Sequence, residues 1–166
     1  MAGGGRPGFG SHAAGYDPPV PAAEKLLAVA ACAVAVAGCS GDDERLPAAC
    51  RTDSASVIRA LDRAPRPVRI RGVPISHCLT HGSSAEDVEL VGSILVGAAS
   101  ELGDAARRRP GGRAAVSLGY LIGAAHRGGA RTQGLHAELV RRLDQEAYGV
   151  DSRALRRGER AGRRQG

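Results

Sequence analysis

Cys50, His77, Cys78 and His81 supply two thiols and two imidazoles, the ligand set of a tetrahedral zinc site. Metal capture through these four residues is one reading of the chain. Their spacing counts against it. His77 and Cys78 are neighbours, and adjacent side chains of an extended chain point to opposite faces. No C-x-x-C pair is present. Nucleophilic chemistry has less to build on. Ser76 stands beside His77 and Thr80 beside His81 as sequence neighbours only. The patterns G-x-S-x-G, H-E-x-x-H and S-x-x-K are absent, so the chain is not expected to be an enzyme, and neither catalytic residues nor a cofactor are expected. Gly111-Gly112-Arg113 ahead of a helix could hold an anion, but a turn at Pro110-Gly111-Gly112 explains these residues without a ligand. His126 and His136 on one helix would stand about 80° apart in angle and ~15 Å apart in height, beyond a shared ligand. Glu101 and Asp104 have Arg107 and Arg108 as ordinary ion partners.

Compartment is read from Lys25–Cys39, K-L-L-A-V-A-A-C-A-V-A-V-A-G-C. One cation precedes an uncharged run, Leu26–Ala37, and small residues precede a cysteine. Twelve residues of helix reach ~18 Å, short of a ~30 Å hydrocarbon core, so a signal-peptide core fits better than a span. Val36-Ala37-Gly38-Cys39 resembles the lipobox of bacterial lipoproteins. The resemblance covers about fifteen residues and implies cleavage before Cys39, a diacylglyceryl group on its thiol and attachment to the extracytoplasmic face of the cell membrane. Val29-Ala30-Ala31-Cys32 also fits, but it leaves an apolar core of only about six residues. Ser40-Gly41-Asp42-Asp43-Glu44 reads as a solvated tether. Residues 1–24 carry no fold information; they are read either as a disordered cytosolic extension or as the result of a misassigned start, with Val20 then the first residue.

On this resemblance Cys32 leaves with the leader, Cys39 takes the lipid, and Cys50 and Cys78 remain as a pair in an oxidising space. A disulfide between them would close a loop of roughly 28 residues and contribute roughly 3–4 kcal/mol. The metal quartet is its alternative.

Composition narrows the rest. The 166 residues carry 23 basic and 17 acidic side chains, a formal +6. Lys25 is the one lysine; the other cations are arginines. There are 24 glycines, three tyrosines, one phenylalanine and no tryptophan. Few aromatic rings argue against sugar-stacking and single-strand-stacking sites. The Ala, Gly and Arg excess resembles proteins of high-GC bacteria such as actinobacteria. Residues 151–166 hold six arginines against Asp151 and Glu159 and almost no large apolar side chain, so a disordered basic tail is expected at 149–166. Its nearest partners would be anionic lipid or a cell-wall polymer. Nucleic acid is not expected unless the leader reading fails and the protein is a cytosolic arginine-rich binder.

The expected architecture is mainly α, with a leader at 1–38, a tether at 39–53 and a small helical domain at 54–148. Asp53 or Ser54 caps a helix over 54–63, ended by Ala64-Pro65-Arg66-Pro67. Val68–Arg71 alternates like a strand but lacks a clear partner, which leaves an extended connector or a short hairpin with Ile75–Leu79. Ser83-Ser84-x-x-Asp87 opens a helix with Val88, Val91, Leu95, Ala98, Leu102 and Ala105 on one face. Leu118, Ile122, Ala125, Gly129, Thr132, His136, Leu139 and Leu143 keep one phase, which predicts a single helix over 113–147. It would pair with its predecessor as a long antiparallel hairpin, drawn close by Gly92, Gly97, Gly119 and Gly123. The expected function is a lipid-anchored binding or scaffolding module at the cell envelope.

Overall fold

The structure, a computed structural model, describes residues 45–81, 84–130 and 132–166. The leader, the Cys39 lipobox, the first residues of the tether and Ser83 lie outside them.

Helix α1 (Ser54–Leu61) starts at Asp53, whose carboxylate accepts hydrogen bonds from the Ser56 backbone N–H and hydroxyl, both at 2.7 Å. Those bonds hold the Asp53 carboxyl below its usual range. Val57 and Leu61 are buried beneath it. Strands β1 (Arg69–Ile70) and β2 (Val73–Pro74) then pair antiparallel, Ile70 opposite Val73. The expected connector is therefore a hairpin, with a nearer partner than Ile75–Leu79. Arg71 and Gly72 both take positive φ, 47° and 89°, which turns the chain within two residues. Residues after Pro74 form helix α2 (Ile75–Thr80).

Helix α3 (Ala85–Arg108) is capped by the Ser84 hydroxyl, which accepts from the Asp87 N–H at 3.1 Å. Glu86 and Asp87 occupy its positive end and Arg107 and Arg108 its negative end. Past the Pro110–Gly112 turn comes helix α4 (Arg113–Gly129), followed by helix α5 (Leu135–Glu146). One helix over 113–147 is thus corrected to two. Gly134 sits at φ 66°, and the Thr132 backbone N–H and hydroxyl both return to the Gly129 carbonyl at 3.0 Å. The hydrophobic phase survives the break because α5 folds back and delivers Leu139 and Leu143 to the same core.

The basic tail is the second correction. Residues Arg153–Gln165 form helix α6 rather than disorder. Ser152 caps it, accepting from the Leu155 N–H at 3.1 Å. It packs against α4 by backbone approach, so it needs few large apolar side chains. The core accordingly extends past 54–148 on both sides: Leu46, Cys50, Val150 and Ala161 share it with the helices between. At its centre is Tyr120. Its hydroxyl accepts a 3.0 Å bond from the Val68 N–H, and burial raises its pKa against the opposing pull of that bond and of Arg127 and Arg69. No described helix is long and apolar enough to cross a membrane.

Candidate functional site

Cys50 ends a 3₁₀ turn, Ala48–Cys50, and Cys78 lies on the inner face of α2. Both are 3% exposed. Their sulfurs are 2.05 Å apart and their Cα atoms 5.5 Å apart, a disulfide distance. The pairing ties the segment before α1 to the helix after the hairpin. It also dissolves the proposed metal quartet, since a sulfur bonded to sulfur offers no thiolate. Cys78 faces inward and its neighbour His77 outward. The His77 ring stacks on His81 at 5.1 Å, and His81 Nδ1 lies 2.9 Å from the Thr80 hydroxyl. Among the described residues no three His, Cys, Asp or Glu side chains gather where a metal could sit.

The remaining histidines stay separate, but one has an unforeseen partner. His126 on α4 reaches Asp144 on α5, Nε2 to Oδ1, at 2.9 Å. A single 113–147 helix would have kept these side chains more than ~25 Å apart. The sequence signals were the glycine pair Gly128-Gly129, where α4 ends, and Gly134, whose turn folds α5 back onto α4. Beside His126, the Arg127 guanidinium donates to the Arg164 carbonyl and fastens the last turn of α6.

Helix α6 has the most pronounced chemical asymmetry in the structure. Its inner face is small: Gly158, Ala161 and Gly162 are buried. A Cβ on Gly158 would meet the Val116 carbonyl, and one on Gly162 the Tyr120 carbonyl. From the other side, a Cβ on Gly119 would meet the Leu155 carbonyl and one on Gly123 the Glu159 carbonyl. Contacts advance together along both chains, so α4 and α6 run parallel. Two G-x-x-x-G repeats, Gly119/Gly123 and Gly158/Gly162, are pressed into one seam. The glycines expected to join α3 and α4 therefore act elsewhere. Gly119 and Gly123 receive α6, while a Cβ on Gly92 would meet the Leu139 side chain at 3.5 Å and one on Gly97 the Ser54 hydroxyl at 2.7 Å.

The outer face of α6 is exposed at Arg153, Arg156, Arg157, Arg160, Arg163 and Arg164. Arg163 pairs with Glu159 at 2.8 Å, and Arg156 pairs with Asp151. Arg153, Arg157, Arg160 and Arg164 make no ion pair with any described residue. The six guanidiniums that the sequence assigned to a disordered tail are thus presented by a fixed helix. A scan of protein-family models finds no match to the chain, and searches of curated proteins and of solved structures find none either.

Proposed function

We propose that the protein is a lipid-anchored extracytoplasmic binding module of a bacterial cell envelope. Cys39 carries the diacylglyceryl group, the residues after it form a solvated tether, and the helical body presents the binding surface. The observation that carries this reading is the buried Cys50–Cys78 pair at disulfide distance. Such bonds form and persist in oxidising spaces, which is where a lipobox leader sends a chain. The leader and the cysteine pair lie in different parts of the sequence and support the same compartment independently.

Intact mass and fractionation from the native host test it, beside a Cys39→Ala variant. The expected species is membrane-bound, begins at Cys39, carries a diacylglyceryl mass shift and has no reactive thiol. The variant should leave the membrane fraction or retain its leader. A soluble wild-type species that keeps residues 20–38 and shows two titratable thiols at Cys50 and Cys78 would overturn the proposal.

A further inference from the structure

The six arginines of α6 fall within an arc of about 120° at 100° per residue, spread over about 17 Å of helix. No other residue of α6 lies in that arc. Three ordinary explanations fail. Arginine-rich composition would scatter other side chains among the cations, as it does on α5, where Arg141 and Arg142 are interleaved with Glu138, Asp144, Gln145 and Glu146. Complementing the helix dipole accounts for Arg163 and Arg164 in the last turn but not for Arg153 and Arg156, which sit at the positive end. Helix stability is opposed rather than served: Arg160 stands three or four residues from Arg156, Arg157, Arg163 and Arg164, and Arg153 likewise from Arg156 and Arg157, and each like-charged pair works against the helix. The seam with α4 holds the helix in place despite this repulsion, so the charge is fixed before any partner arrives.

From this geometry we infer that the arginine face of α6 docks on an anionic phospholipid surface. Guanidiniums bind phosphate oxygens in pairs of hydrogen bonds, and a convex helix face with four cations that pair with no described residue can set them on a plane of headgroups. A planar anionic surface would relieve the like-charge strain along the whole arc at once. The inference rests on the envelope reading for its choice of partner: a domain anchored through Cys39 stays within tether reach of anionic headgroups, which attract cations held close to them. Docked in this way, α6 would lie along the membrane, and the body would be held in one orientation rather than swinging on its tether.

The test uses the full chain with Cys39→Ala, which removes the lipid, and the same chain also carrying Arg153→Gln, Arg157→Gln, Arg160→Gln and Arg164→Gln. Binding is measured to phosphatidylcholine vesicles and to vesicles in which a third of the lipid is phosphatidylglycerol. The first protein should prefer the anionic vesicles and lose that preference as salt rises. The four glutamines should cost about fivefold in affinity per arginine removed while raising the thermal midpoint. Any contribution from the apolar leader run appears equally on neutral vesicles and in both proteins. Equal binding to both vesicle types, or anionic binding unchanged by the glutamines, overturns the inference. So does tighter binding to duplex DNA than to anionic vesicles at the same salt, which would make nucleic acid the partner. Should the glutamine variant fail to fold, the lipid and salt dependence of the first protein decides alone. Because neither protein carries the anchor, the result is independent of whether Cys39 is lipidated in the host.

Discussion

At the residue scale, buried hydroxyls find backbone partners, with the Thr52 hydroxyl the exception among the described residues. The Ser54 hydroxyl donates to the Ile94 carbonyl at 2.9 Å and the Ser117 hydroxyl to the Leu61 carbonyl at 3.0 Å. Tyr120 accepts from Val68, a contact spanning 52 residues of chain. Tyr120→Phe keeps the ring and strands the Val68 N–H, so it should destabilise by about 1–3 kcal/mol in urea unfolding, with an unchanged slope. Glu138 gives a pH signature. Hydrogen bonds from Arg141 and Arg142 lower its carboxyl from 4.5 to about 2. A lowered folded-state pKa contributes stability that is complete above the ordinary value and is lost as pH falls from 4.5 to about 2. An NMR titration should place the Glu138 midpoint near the lower figure, and Arg141→Gln should move it up. Caps were legible because a short acceptor followed three residues on by its own partner is a local pattern, as at Asp53 and Ser84. The His126–Asp144 pair was not, because it exists only once the chain has turned at Gly134.

Elements were legible where large apolar side chains mark a face. The α1 and α3 faces were read from Val57, Ile58, Leu61, Val88, Val91, Leu95, Ala98, Leu102 and Ala105, of which all but the half-buried Ile58 and Ala105 are buried. Helix α6 was missed because its packing buries backbone, and hydrophobic periodicity does not register glycine against glycine. The matching signal was present as two G-x-x-x-G repeats, but one was assigned to the wrong neighbour and the other to disorder. A substitution pair separates seam from turn. Gly158→Ala drives a methyl into the Val116 carbonyl and should cost about 1–3 kcal/mol or more, read as a lower denaturation midpoint. Gly111→Ala meets nothing within 4 Å and has no positive φ, so it should be neutral or stabilise by up to about 1 kcal/mol.

Across the whole molecule, a mainly helical body was legible from composition and periodicity, whereas its extent was not. The core draws on Leu46 at one side and Ala161 at the other. A body this small gains from a covalent closure within its first third. Cys50 and Cys78 are separated by 28 residues, and a bridge across such a loop contributes roughly 3–4 kcal/mol by the chain-entropy account. Dithiothreitol should therefore lower the denaturation midpoint of the wild-type protein, and Cys50→Ala/Cys78→Ala should show the lowered midpoint with or without reductant.

The parallel seam also sets an order of events. Helices α4 and α6 lie roughly forty residues apart in sequence with α5 as the return leg between them, so theirs is a non-local contact that loop closure delays. The local hairpin and the α3–α4 turn can form while the seam is still open. A defect in the seam should then appear mostly in the rate of unfolding. In a chevron, Gly158→Ala should raise the unfolding limb while leaving the refolding limb nearly in place. For a chain that crosses a membrane as an unfolded thread, α4 would keep its glycine face bare until α6 had followed it across.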